Sequence, residues 1–238
     1  MSQLFYLKEC SSTNDEISKF LLYENSDFIG LHTFNQTKGR GQYGNVWAQT
    51  AGKNLAYTLA VNTHNILCSD FIFNYYTAIL IRDFLANLAD SEVKIKWPND
   101  IILKGKKIVG ILIEKKKINQ NNYFIIGAGI NILQEKFDAI TNAGSLLTQT
   151  GQQFDIEDLS FALHEFLSEQ LKNIPSDREI LDRFNEHLFR KDQISVFEIG
   201  KERQNGIIRH ADPTGELWIE LEKDGMRNFY HKEVKLLY

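Results

Sequence analysis

Residues 36–47 read Gln-Thr-Lys-Gly-Arg-Gly-Gln-Tyr-Gly-Asn-Val-Trp, with three glycines and two cations and no helical or strand periodicity. The chemistry such a stretch suits is anion binding. Gly39, Gly41 and Gly44 can adopt positive φ at little steric cost, which turns successive backbone N–H groups toward one point. Arg40 adds a planar fork of donors. A long glycine hairpin is the competing reading, since the spacing fits neither the Rossmann nor the Walker phosphate loop. A second cationic group lies between Lys94 and Lys117, where eight lysines have only Glu92, Asp100 and Glu114 nearby. Local positive potential therefore survives a net charge of −4. Lys115, Lys116 and Lys117 read as charges protecting an exposed strand edge. Lys107, in a hairpin, is expected to be exposed and away from any core.

These groups need rigid neighbours. Strand-like residues 28–34 and 55–61 flank the loop, so it hangs between two sheet elements. Thr13 and Glu16 have capping-box spacing ahead of apolar Ile17, Phe20 and Leu21, which marks a helix start. Ser12 and Asn14 then stand at a helix mouth, able either to cap it or to face a ligand. Apolar residues over 70–89 recur at helical spacing on more than one face, as a buried helix requires. Residues 93–97 alternate as a strand that Pro98 must end, presenting Asn99 and Asp100 in a turn. Residues 101–103 and 108–113 form a hairpin, and 123–131 another buried strand. Gly110, Gly127 and Gly129 weaken these strands, which points to bulges or to something approaching the backbone closely. Residues 134–153 read as loop, 155–172 and 175–189 as helices. From residue 193 the period switches to two, giving a small all-β unit that must dock on the rest to be stable.

The length, 238 residues, allows one sizeable core plus that appendage, and 43% hydrophobic with 24% charged residues is ordinary for a globular chain. No apolar run approaches 18 residues and the chain opens on strand-like residues, so neither a membrane span nor a signal peptide is expected and the cytoplasm is the expected location. Cys10 and Cys68 lack the spacing of a disulfide framework or a zinc site and read as small buried side chains.

Five segments taken in order narrow the field: Ser12-Thr13-Asn14; Gln36 with residues 38–47; Lys96-Trp97-Pro98-Asn99-Asp100; Lys107 with residues 110–114; and residues 127–131, Gly-Ala-Gly-Ile-Asn. Together they resemble the biotin protein ligases. The resemblance covers about residues 3–133 by motif and the remainder by layout. It implies an α/β (α+β) fold: a mixed-sheet catalytic domain of the biotin/lipoate ligase type over 1–188 and an SH3-like C-terminal β-barrel over 189–238. The implied activity is activation of biotin with ATP and Mg²⁺ to biotinyl-5′-AMP, followed by transfer to one lysine of a biotin carboxyl carrier domain. Carried over residue by residue, biotin falls to Ser12, Thr13, Asn14, Gln36, Gly39, Arg40, Gly41, Gln42, Trp47, Lys107 and Gly110. ATP falls to Arg40, Lys96, Asn99 and Asn131, and catalysis to Arg40, Lys107 and Asp100, with Asp100 either a Mg²⁺ ligand or a base. Gln42 departs from the pattern, since many members have a second arginine there. With the first motif at Ser12, no N-terminal helix-turn-helix and hence no DNA target is expected, and an open strand edge would permit a homodimer. The rival readings are a lipoate or octanoate transferase, whose apolar substrate would leave Ser12, Thr13, Asn14 and Gln36 unpaired, and a nucleic-acid-binding module built on the lysine cluster.

Overall fold

The computed structural model describes residues 2–22, 26–137 and 141–238. In chain order the first part comprises β1 (Ser2–Tyr6), α1 (Thr13–Phe20), β2 (Phe28–Thr33), β3 (Gly39–Arg40), β4 (Val46–Trp47), β5 (Asn54–Asn62), α2 (Asp70–Ala86), β6 (Val93–Lys96), β7 (Asp100–Leu103), β8 (Lys106–Ile118), β9 (Asn121–Asn131), α3 (Leu146–Thr150), α4 (Ile156–Gln170) and α5 (Asp177–Glu186). Seven of its strands form one sheet in the order β1-β2-β5-β9-β8-β7-β6, with β1 and β2 parallel and the other pairs antiparallel.

Alternation along β5 sets the layers. Leu55, Tyr57, Leu59 and Val61 join the large apolar cluster that includes α2, α4 and α5. Ala60 joins a smaller cluster on the other side with Ile17 and Leu21, where α1 lies. The helix α2 is apolar on more than one face because it is covered on more than one: eleven of its residues are buried, Phe73, Ala78, Ile79 and Ile81 completely. Ser69 caps its start by accepting from the Ile72 N–H at 3.3 Å. Asp155 caps α4, and Ser176 with Glu179 forms a reciprocal cap on α5. The short α3 falls inside the stretch expected to be loop. Ser145 and Thr148 cap it reciprocally, but with threonine in place of the usual glutamate the signal is weak.

The C-terminal residues form a five-stranded antiparallel sheet, β10 (Ile194–Ile199), β11 (Glu202–Ala211), β12 (Leu217–Leu221), β13 (Gly225–Phe229) and β14 (Lys235–Leu237), ordered β13-β12-β11-β10-β14. It docks as a small sheet must: Phe197, Ile208, Leu217, Ile219 and Phe229 share the apolar cluster of α2 and α5. Asn185 clamps Ala211 from both sides, donating to its carbonyl at 2.9 Å and accepting from its N–H at 2.7 Å. Among the described residues β8 pairs beyond Gly110 with β9 alone, so Lys115 and Lys117 stand on an open edge there. Lys116 does not serve that purpose alone: its ammonium donates to the Asn14 carbonyl at 2.7 Å and ties β8 to α1. Among the described residues no helix is long and apolar enough to cross a membrane. Cys10 is buried, Cys68 half-buried, and both are free.

Under the sheet, His32 of β2 and His164 of α4 are buried, and the Tyr57 hydroxyl lies 2.9 Å from His164 Nδ1. Burial lowers both imidazoles to about 4, with His32 adding to the shift at His164. The folded state therefore holds them neutral while the unfolded chain takes up protons from about pH 6.5 downward. Stability from these sites is complete above pH 6.5 and is lost progressively toward pH 4. Melting temperature followed from pH 7.5 to 5, above the ordinary carboxylate range, should hold down to about pH 6.5 and fall below it, and His164→Gln should reduce that fall. A flat wild-type profile would show that the pair is not held neutral.

Candidate functional site

The loop between β2 and β5 is more ordered than its composition suggests. Gly39 and Arg40 pair with Trp47 and Val46 as a two-residue ladder, and a single 3₁₀ turn over Gln42–Gly44 closes the tip. Of the three glycines expected at positive φ, only Gly44 has it, at 80°, and Tyr43 joins it at 54°. Gly39 is needed for closeness instead: a Cβ there would lie 2.4 Å from the Trp47 carbonyl oxygen.

What the loop closes against is a pair of glycines. Gly110 of β8 and Gly129 of β9 are direct register partners, and the Trp47 indole lies across both. A Cβ on Gly129 would meet its Nε1 and Cε2 at 2.4 Å, and one on Gly110 its Cζ3 at 2.8 Å. The strand-weakening glycines thus mark close approach. Gly127 does the same for α1, since a Cβ there would sit 2.3 Å from Asn14 Oδ1. Trp47 is the expected wall, and its Nε1 is buried with no partner.

Between Trp47, α1 and β8–β9 is a cavity of about 130 Å³ whose lining includes Ser12, Thr13, Asn14, Gln36, Arg40, Gly41, Gln42, Trp47, Asn99, Asp100, Lys107 and Gly110. Three expected residues stand elsewhere. Gly39 is behind Trp47, Lys96 lines a neighbouring hollow with Trp97, and the Asn131 amide donates to the Gly144 carbonyl at 3.0 Å, although its Oδ1 is buried without a partner. That volume is below the roughly 300 to 1,000 Å³ usual for small-molecule sites.

One end of the cavity is a hydrogen-bond network. Ser12, not Thr13, is the N-cap of α1, and its side chain makes no capping bond. Gln36 replaces that cap: its Oε1 accepts from the Thr13 N–H at 2.9 Å and the Thr13 hydroxyl at 3.2 Å. Thr58 of β5, which the sequence did not single out, lies 2.8 Å from the Thr13 hydroxyl and 2.7 Å from Asn14 Oδ1. The Asn14 amide donates to Glu114 at 2.9 Å. Arg40 is not a free cation here. Its guanidinium spans Asp15 at 2.7 Å and Glu114 at 3.2 Å, which draws the donor fork toward α1.

The other end is charged. Lys107 is neither remote from the core nor unpaired: its ammonium sits 2.6 Å from Asp100 and 5.5 Å from the centre of a Trp47 ring. Register explains the meeting, since Asp100 opens β7 opposite Gly110 and Lys107 precedes it on the same edge. Asn99 is buried and its amide donates to the Ile111 carbonyl, with Ile111 returning a bond from its N–H at 3.2 Å. Burial pushes the Lys96 ammonium below its usual range against the opposing pull of Asp100. His231, from beyond β13, also lines the cavity. No periodicity could have flagged it, because its role depends on how the C-terminal sheet docks.

The pattern of the Biotin/lipoate A/B protein ligase family matches residues 7–131, a span that contains every expected site residue and more than half of the chain. The chain belongs to this family. The bifunctional ligase/repressor BirA of Escherichia coli (strain K12) is 30% identical over 202 residues, covering 80% of this chain and 60% of that protein. The biotin–[acetyl-CoA-carboxylase] ligase of Mycobacterium tuberculosis is 29% identical over 61% of this chain and 55% of its own length. The match thus spans 60% and 55% of the length of these two relatives. Among solved structures, a biotin protein ligase from Aquifex aeolicus in complex with biotin and ATP has a TM-score of 0.81 at 23% identity, covering 99% of this chain and 98% of that one. That likeness establishes the fold of this ligase family member from β1 to β14.

The Gly127–Asn14 contact gives a direct test of the geometry. Gly127→Ala should cost about 1–3 kcal/mol, as overpacking in a filled interior does, because Asn14 must leave Thr58 and Glu114. In the Asn14→Ala background the same change should cost much less. Additive losses in urea unfolding would contradict the contact.

Proposed function

We propose that the chain is a biotin–[biotin carboxyl carrier protein] ligase. Its catalytic domain would span 1–188 and its SH3-like C-terminal domain 189–238. The observation that carries this reading is the cavity with a polar network at one end and the Lys107–Asp100 pair at the other, roofed by one indole. The network of Ser12, Thr13, Asn14 and Gln36 suits the ureido ring of biotin, whose donors and acceptors match it. An acyl chain such as octanoate or lipoate brings no hydrogen-bonding groups of its own to this polar end.

In this reading, a biotin carboxylate oxygen forms a bond to the α-phosphorus of ATP while the bond to the bridging oxygen breaks and pyrophosphate leaves. The two reactants are both anions, so positioning and charge stabilisation carry the step. Lys107 would act where the two meet, with Arg40 available once its carboxylates yield. Mg²⁺ would arrive with the nucleotide. Asp100 lines the cavity as a hard oxygen donor, and one carboxylate suffices when phosphates complete the shell. Among the described residues no group of three or more His, Cys, Asp or Glu side chains is placed to hold a metal without them. The amine of a carrier lysine then forms the amide at the biotin carbonyl carbon as AMP leaves. The setting is cytoplasmic, where ATP and carrier are supplied.

The test is pyrophosphate release from biotin plus ATP with no carrier present. Wild-type protein should release it only when biotin is added. Lys107→Ala should slow it by roughly 10² or more and lower the melting temperature as well, since half-buried Asp100 loses its nearest partner, at a cost between the ~1 kcal/mol of an exposed pair and the ~3 kcal/mol of a buried one. Biotin-independent release, or none, would overturn the reading.

A further inference from the structure

The tip of the binding loop is held by the C-terminal sheet. Tyr43 and Lys232 are both non-glycine residues at positive φ, 54° and 78°, a costly conformation that persists only where neighbours over-determine it. They meet. Lys232 Nζ stands 4.5 Å from the centre of the Tyr43 ring and 3.4 Å from the Tyr43 carbonyl oxygen, to which it donates. The His231 ring lies 5.0 Å from that of Tyr43 and packs edge-on against Trp97 at 5.8 Å. The turn that carries both residues is braced, with Glu233 accepting from the Tyr230 N–H at 2.8 Å and its own N–H bonding the Tyr230 carbonyl at 3.1 Å.

None of these contacts buries a core. Tyr43 is 64% exposed, so core burial does not hold it there. Its position does have a consequence for the cavity, because Gln42 next to it and Trp47 behind it are both lining residues, as is His231. A tip fixed by the C-terminal sheet fixes where Trp47 lies over Gly110 and Gly129.

We propose that the turn formed by Tyr230, His231, Lys232 and Glu233 is a positioning element for the binding loop: Lys232 and His231 clasp Tyr43 and hold the indole roof closed over bound biotin. The C-terminal sheet acts on the site through this clasp. Since the proposal rests on the biotin ligase reading for its ligand, its first test is made without ligand.

Trypsin cleavage after Lys38 and Arg40, read by mass, reports opening of the loop. Against wild type, Lys232→Ala and Tyr43→Ala should each raise that cleavage about 2- to 5-fold, the range a surface cation–π contact supplies. The double variant should raise it by less than the product of the two single effects, and Lys232→Arg should restore protection. With substrates, both alanine variants should raise the biotin KM by a similar factor while leaving kcat for pyrophosphate release near wild type. Unchanged cleavage, or additive effects in the double variant, would overturn the clasp. If wild-type protein releases no pyrophosphate, the ligase reading falls and the cleavage cycle still judges the clasp. Cleavage that rises equally at sites across the chain signals general unfolding and counts against it.

Discussion

One contact organises the site: an indole laid flat on two glycines that face each other across β8 and β9. Trp47 can approach the sheet only because neither Gly110 nor Gly129 carries a Cβ. The approach converts a glycine-rich loop with few apolar anchors into a roof. The same economy of side chains at Gly127 seats Asn14, and through it the start of α1, on the next part of the shelf. A sheet with ordinary side chains at these three places would be a better sheet and would have no cavity.

Charge is managed around that shelf by pairing. Arg40, Lys107 and Lys116 each meet a carboxylate: Asp15 and Glu114 for the first, Asp100 for the second, Asp15 for the third. The cations are thereby positioned without being left uncompensated in a partly dry site. An incoming polyanion competes with these carboxylates rather than meeting bare charge, so part of its attraction is used to displace them. The two ends of the cavity differ: one is a hydrogen-bond network in which Arg40 is neutralised by Asp15 and Glu114, the other is the Lys107–Asp100 pair.

The sequence made the elements and most of the lining residues legible, because these depend on local pattern and on motif order. Strand alternation, the largely apolar α2 and the turn at Pro98 are local. What stayed hidden is non-local. Gly110 and Gly129 each read as a weak point in its own strand, and only their register turns them into a shelf. Arg40 reads as a free donor because Asp15 and Glu114 are distant in sequence. Thr58 reads as one more β-branched residue in an apolar strand, and His231 as a loop residue of another unit. Lys96 and Asn131 are in the right motifs yet stand beside the cavity rather than in it, since the strand pleat turns them to neighbouring groups.

The most direct measurement of this account is the affinity of biotin for wild-type protein and for Gly129→Ala, by calorimetric titration with the melting transition recorded alongside. A Cβ at that position obstructs the indole. With an overpacking cost of about 1–3 kcal/mol set against roof closure, the variant should bind biotin about 5- to 150-fold more weakly while still melting cooperatively. Equal affinities in the two proteins, or no biotin binding by the wild type, would contradict the claim that Trp47 on its glycine shelf makes the site.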